Sequence, residues 1–325
     1  MTLLPMLSRL GVLSFLAGIS LAAPAAAYCR LTTKSPSSSD SEATTGCVKD
    51  GIELAWQRRC ISYTLVPSPE LDVGLEDLRA VIDRSFATWM QARCGAEPLP
   101  VVLGQTEQLG ECSYAEYNRF GPNANTVAFA SDWTSRGRDF VPEAYGLTLV
   151  WHNRSTGEIL DADIQINLAH SDPVAICGSM NCDAASIDLQ NVLTHEAGHF
   201  LGLAHSPDRE ATMYWDAKVA EIVKRDLWPD DELGMCAIYG GEPMPACAPQ
   251  DYAPRRGFTE QCARPMASST CAARPGRASR SALGAAALAV LGLGLLARRR
   301  MIGANCGHAS LATGPIDRGA RRQRD

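Results

Sequence analysis

Three of the chain's six histidines fall within THEAGHFLGLAHS, Thr194 to Ser206. His195 and His199 are four residues apart, so on an α-helix they stand one above the other on the same face. That spacing lets both imidazoles reach one metal ion. Glu196 follows the first of them, where its carboxylate addresses water at the metal rather than the metal itself. Leu193, Ala197, Phe200 and Leu201 are left to pack the other sides of such a helix.

His205 requires the helix to stop. On a continuing helix it would lie roughly 240° around from His199 and point away. A glycine in the left-handed conformation ends a helix and turns the chain back, and Gly202 stands where that turn is needed. His205 then arrives as a third ligand. Three histidines with an open fourth position are the ligand set of a catalytic zinc. Each histidine alone is more often a core or surface residue than a ligand. The joint pattern H-E-x-x-H-x-x-G-x-x-H fixes five positions, and chance matches are on the order of one in 10⁵ for a chain of this length.

With the residues that follow, this stretch resembles the metzincin metalloproteases. The family sets a methionine in a tight turn beneath the zinc histidines, and Met213 in ATMY (211–214) fits it, with Tyr214 beside it. Ser206, directly after the third histidine, is similar to the matrixin branch; the astacin and adamalysin branches carry Glu and Asp there. LWPDDELGMCAIYG (227–240) resembles the last helix of matrixin catalytic domains, and Asp230 and Asp231 match its paired aspartates. LTLVWH resembles the edge strand of the cleft and LDADIQIN the strand after it. The resemblance runs from about Ile52 to Gly240. It implies an α/β (α+β) catalytic domain: a mixed twisted sheet, an active-site helix, a Met-turn and a C-terminal helix. It further implies one catalytic Zn2+ on His195, His199 and His205, with Glu196 as general base and Gly202, Met213 and Tyr214 in support. A protein or peptide substrate would lie extended near Leu147 to Trp151, with Tyr214 and Trp215 near a side-chain pocket and Asp230 in a structural role.

The chain also departs from the family. The Cys-switch PRCGxPD is missing, and the Ser/Thr-rich segment 28–51 is too short for a folded prodomain. The family's second, structural zinc uses histidines of the two cleft-side strands. Asp163 stands where one is expected, and His152 and His170 lie outside the pattern, so that site is not carried over. Ca2+ near Asp161 or Asp163 is an alternative that no motif supports. Three other readings compete. A zinc-bearing binding module has no need of Glu196. A thermolysin-type hydrolase takes a glutamate as third ligand and has no need of Gly202 and His205. A disulfide-rich adhesin with a coincidental motif would bind no zinc.

Around these residues, CISYTLV (60–66), LPVVLG (99–104) and NTVAFASDW (125–133) read as strands. GLEDLRAVIDRSFATWMQARC (74–94) reads as a helix, with Leu75, Leu78, Ile82, Phe86 and Trp89 at helical spacing. In 158–167, Leu160, Ala162, Ile164 and Ile166 alternate with Asp161, Asp163, Gln165 and Asn167, the period of a strand. Residues 1–27 read as a signal peptide, with Arg9 before an apolar run and small residues at 23–27. Ten of the twelve cysteines lie between Cys29 and Cys262 with no C-x-x-C pair, which in an exported chain predicts disulfides. Beyond the domain at 52–240 comes a Pro/Cys-rich stretch, 241–280, read as a linker. An apolar run at 281–297 is followed by RRR, and a tail covers 301–325. The apolar run is at the short limit for a membrane span, and its arginines would keep that end cytoplasmic. With Cys271 upstream it also resembles a myxobacterial-type surface-sorting tail. The expectation is a monomer, exported and then secreted or held at the cell surface, touching membrane only through this segment. Net charge is −6, and no basic stripe with interleaved aromatics appears, which argues against nucleic acid as a partner.

Overall fold

The structure, a computed structural model, describes residues 27–34, 47–95, 97–137, 139–140, 142–178, 182–241 and 246–263. In chain order the elements are β1 (Cys29–Arg30), β2 (Cys60–Val66), α1 (Leu75–Met90), β3 (Arg93–Cys94), β4 (Glu97–Pro98) and β5 (Val102–Gln105). There follow β6 (Thr126–Ala130), β7 (Gly146–His152), β8 (Ile159–Asn167), β9 (Val174–Ala175), β10 (Ile187–Asp188), α2 (Leu189–Phe200), β11 (Leu203–Ala204) and α3 (Pro229–Tyr239).

Five strands form one sheet in the order β5-β2-β6-β8-β7. β2 is parallel to β5 and β6, and β6 to β8; β7 alone runs antiparallel, as the partner of β8. This is the mixed α/β architecture that the resemblance implies. Because β7 pairs only with β8 among the described residues, its outer edge is an edge of the sheet.

α1 and α2 cover one face. Leu78, Ile82, Phe86 and Trp89 of α1 are buried, the stripe that the spacing predicts, whereas Leu75 at the helix start stays exposed. They meet Ile61, Tyr63, Leu65, Val127, Phe129, Ile164 and Ile166 from the strands in the main core. The other face carries a smaller cluster of Ala130, Trp133, Ala144, Leu147, Leu149 and Trp151. On β8 the alternation places Ala162, Ile164 and Ile166 in the main core and Asp161, Asp163, Gln165 and Asn167 opposite. A strand with that pattern usually wets its polar face. Here all four polar residues are buried, because the segments 112–137 and 142–145 fold over them. The Thr126 N–H and hydroxyl and the Glu116 N–H donate to Asp163. Arg136 donates to Gln165, and Asn167 donates to the Ala144 carbonyl.

Five disulfides pair the ten cysteines: Cys29–Cys47, Cys60–Cys247, Cys94–Cys236, Cys112–Cys262 and Cys177–Cys182. Two of them reach into the stretch that the sequence reads as a linker. Over 246–263 that stretch is a strap lying back on the domain. Ser62 donates to the Tyr252 carbonyl, Arg58 to the Asp251 carbonyl, and the Glu111 N–H to the Glu260 carbonyl. Part of the Ser/Thr-rich segment is also built into the fold: β1 pairs antiparallel with β11, Cys29 facing Ala204 and Arg30 facing Leu203. Among the described residues no helix is long and apolar enough to cross a membrane. The candidate span at 281–297 and the signal sequence through residue 26 lie outside them.

Candidate metal centre

α2 starts at Asp188, whose carboxylate accepts from the Asn191 N–H at 3.0 Å and so satisfies one of the open donors of the first turn. Arg225 Nε donates to the same oxygen. Every described side chain from Asn191 to Phe200 on this helix is buried. Its last carbonyls, which a helix leaves unpaired, have side-chain donors. Trp56 Nε1 reaches the Phe200 carbonyl at 2.8 Å and the Tyr239 hydroxyl the Leu201 carbonyl at 2.7 Å. Gly202 follows with φ +103°, and a Cβ there would come within 2.8 Å of the Leu54 carbonyl oxygen. The chain reverses at this residue and returns as β11 to His205.

The three histidines are thereby brought together. Their ring centroids are 4.7, 5.3 and 4.9 Å apart, and all three are buried. His195 Nδ1 lies 2.7 Å from the Thr212 carbonyl and His199 Nδ1 2.9 Å from the Leu203 carbonyl. A carbonyl only accepts, so both Nδ1 atoms carry hydrogen and both Nε2 atoms present lone pairs. Those Nε2 atoms are 3.0 Å apart. Two lone pairs that close in a buried site repel unless a cation lies between them. Together with His205, each residue offers a ligand atom within 4.8 Å of the others. The donor set therefore fits a zinc-sized cation taking imidazole nitrogen.

Glu196 is wholly buried, and the Thr148 hydroxyl of β7 donates both to its Oε2 and, at 3.1 Å, to its backbone carbonyl. Gly146, on the same face of β7, leaves room: a Cβ there would come within 2.7 Å of Glu196 Oε1. Gly198 has a similar reason. A Cβ would lie 2.2 Å from Met213 Sδ and 2.7 Å from Trp89 Cζ2. Met213 thus sits directly under the helix between the two histidines, and Trp89 Nε1 ties α1 to α2 through the Thr194 carbonyl at 2.7 Å.

The turn at 211–214 hangs on two aspartates. Asp231 accepts from the N–H groups of Thr212 (2.7 Å), Met213 (3.0 Å) and Trp228 (2.9 Å). Burial pushes its carboxyl up to about 6, against the pull of those hydrogen bonds. Asp230 accepts the Ser206 hydroxyl on one oxygen at 2.6 Å and the N–H groups of Ala27 and Tyr28 on the other, at 2.7 and 2.8 Å. Ser206 also donates its N–H to the Met213 carbonyl at 2.8 Å. Tyr214 and Trp215 are half-buried beside each other, ring centroids 5.7 Å apart.

Asp161 lies on the far side of the sheet, away from the histidines. Neither of its oxygens has a hydrogen-bond partner among the described residues. Burial, then the charges of Asp163 and Glu116, hold its carboxyl far above the usual range. Burial likewise pushes Asp163 up to about 7, although Thr126 and the Glu116 N–H pull it down. Opposite Asp163 on β7 stands Leu149, an apolar neighbour that offers no ligand. His170 is apart from the centre, near Tyr145 and Asp172. Thr148, Gly146 and Gly198 are contributions that the sequence analysis missed. Only Gly198, inside the motif, carried a signal in its position.

The matrixin family model matches residues 55–240. The chain belongs to the matrixin family. It is 26% identical to Metalloendoproteinase 1-MMP of Arabidopsis thaliana over 189 residues, 58% of this chain and 45% of that protein. It is 40% identical to Metalloendoproteinase 4-MMP of the same plant over 169 residues, 51% of this chain and 41% of the relative. Against Stromelysin-1 of Rattus norvegicus the identity is 27% over 187 residues, 57% and 33% of the two chains. This matrixin thus spans less than half the length of these relatives.

Proposed function

We propose that this matrixin is an exported zinc endopeptidase that cuts peptide bonds in proteins, with Glu196 as general base. The observation that carries the reading is the pair of facing Nε2 atoms of His195 and His199, closed by His205, with Glu196 held beside them by Thr148. Zinc held by the three histidines supplies Lewis-acid polarisation of a carbonyl and acidifies water. The chain supplies the rest. Glu196 takes the proton from the attacking water and returns it to the departing amine. Thr148 fixes one carboxylate oxygen. The Thr212 and Leu203 carbonyls fix the tautomer and rotation of two ligands, and Met213 supports the helix between them. An extended substrate adds to the free edge of β7 by main-chain hydrogen bonds. Disulfides joining distant parts of the domain fit an oxidising compartment outside the cytosol.

The test measures zinc per chain and cleavage of a quenched-peptide library, with wild type and Glu196→Ala side by side. One zinc in both proteins and cleavage by wild type alone is the expected result. Chelation should abolish cleavage, and added Zn2+ restore it. One zinc in both without cleavage in either would shift the reading to a binding module. Folded protein without zinc would overturn it.

A further inference from the structure

Beyond His152, where β7 turns into β8, an open pocket of about 380 Å³ is walled by Arg119, Arg154, Arg255 and Arg256, with His152 and Tyr117. Among the described residues, no Asp or Glu is in its wall. In a chain of net charge −6, four guanidinium groups around one pocket are a local reversal of sign. Their mutual repulsion is a cost that an anion relieves. Arg255 has an ion pair outside the wall, with Glu158 at 3.1 Å. Arg256 donates to the Tyr117 hydroxyl, and the Arg119 guanidinium lies 5.4 Å from the centre of the Phe120 ring. All four arginines are exposed. Three separate segments bring them together. Two of the arginines come from the strap, which Cys60–Cys247 and Cys112–Cys262 hold in place on either side of them.

The position of the pocket decides among anions. Thr148, which touches Glu196, and His152, in the pocket wall, are four residues apart on the same edge strand. That is about 13 Å of extended chain. A peptide paired along β7 with its scissile bond at Glu196 would reach the pocket four to six residues from the cut. We infer that this arginine pocket is a subsite for acidic side chains of the protein substrate, recognised through guanidinium–carboxylate pairs. The inference rests on the endopeptidase reading above.

The full chain is assayed on one cleavable peptide carrying either Glu-Glu or Gln-Gln four to six residues from the cut, in turn on each side. Wild type should cut one Glu-Glu peptide with kcat/KM about tenfold above its Gln-Gln twin. The preference should fade in 0.5 M salt. Arg154→Ser with Arg256→Ser should abolish the preference while leaving cleavage of the Gln-Gln peptide unchanged. Equal rates for both peptides in wild type, or a preference that survives the double substitution, would overturn the inference. Titration with hexaglutamate decides independently of activity. Binding by wild type and loss in the double variant is expected. Binding of a heparin oligosaccharide without hexaglutamate would overturn the inference in favour of a glycan. If no peptide of either kind is cut, the endopeptidase reading fails, and the hexaglutamate titration still decides the pocket.

Discussion

Glu196 has an anchor that its neighbours in sequence do not supply. The Thr148 hydroxyl, itself fully buried, donates to both its side chain and its main chain. A hydrogen bond to a charged group is worth about 1.5–3 kcal/mol, so Thr148→Val should lower kcat roughly 10- to 100-fold. KM and zinc content should stay unchanged, because no ligand is touched. Thr148→Ser keeps the hydroxyl and should recover most of the rate. Equal kcat in wild type and the valine variant, measured at saturating peptide, would remove Thr148 from the machinery. Gly198→Ala belongs at this scale too. The added methyl must displace Met213 Sδ or the Trp89 ring, both buried. Overpacking of this kind costs about 1–3 kcal/mol, so thermal unfolding should show a clear loss.

At the scale of the element, β8 carries the most unusual burden, since it buries carboxylates on one face of the sheet. Asp161 and Asp163 hold protons at pH values where an unfolded chain has lost them. Between the ordinary carboxylate range near 4 and the raised folded values, the folded state binds more protons than the unfolded one. Stability from these groups therefore falls as pH rises through that window and returns on acidification. Asp161→Asn removes the ionisation without removing a hydrogen bond, since neither oxygen has a partner among the described residues. The zinc-loaded variant should melt above wild type at pH 8, by a few degrees. The difference should shrink towards pH 6. A variant that melts below wild type at both values would show that the charge is compensated. The alternation along β8 is legible in the sequence; that its polar face is buried follows only from the segment folded over it. The histidine helix was legible because His195, Glu196 and His199 stand within about one turn of one element. Thr148 was not, because its partner lies 48 residues away on another strand.

At the scale of the whole molecule, the described residues form a matrixin domain closed on itself by long-range links. β1 pairs beside the loop leading to His205, and Asp230 gathers Ser206 and the Ala27–Tyr28 backbone. The strap is fastened by Cys60–Cys247, a link across 187 residues. Replacing both cysteines by serine should cost about 2–4 kcal/mol and lower the melting temperature by roughly 5–15 °C. Zinc content should be preserved, because the strap contributes none of the three histidines. If the arginine pocket takes acidic side chains, the same variant should also lose its preference for them. Unchanged melting would mean that the strap is held by its other contacts. The sequence by itself determined the clustering of His195, His199 and His205, the general-base candidate, the turn at Gly202, the α1 stripe and the family. Each of these is written in residues close together in the chain, where spacing fixes geometry through the helical or strand period. Tertiary structure alone decided the disulfide pairing, Thr148 at Glu196, the buried face of β8 and the strap that completes the arginine pocket. Those depend on which distant segments the packing of the sheet and helices sets side by side, and local periodicity carries no record of that.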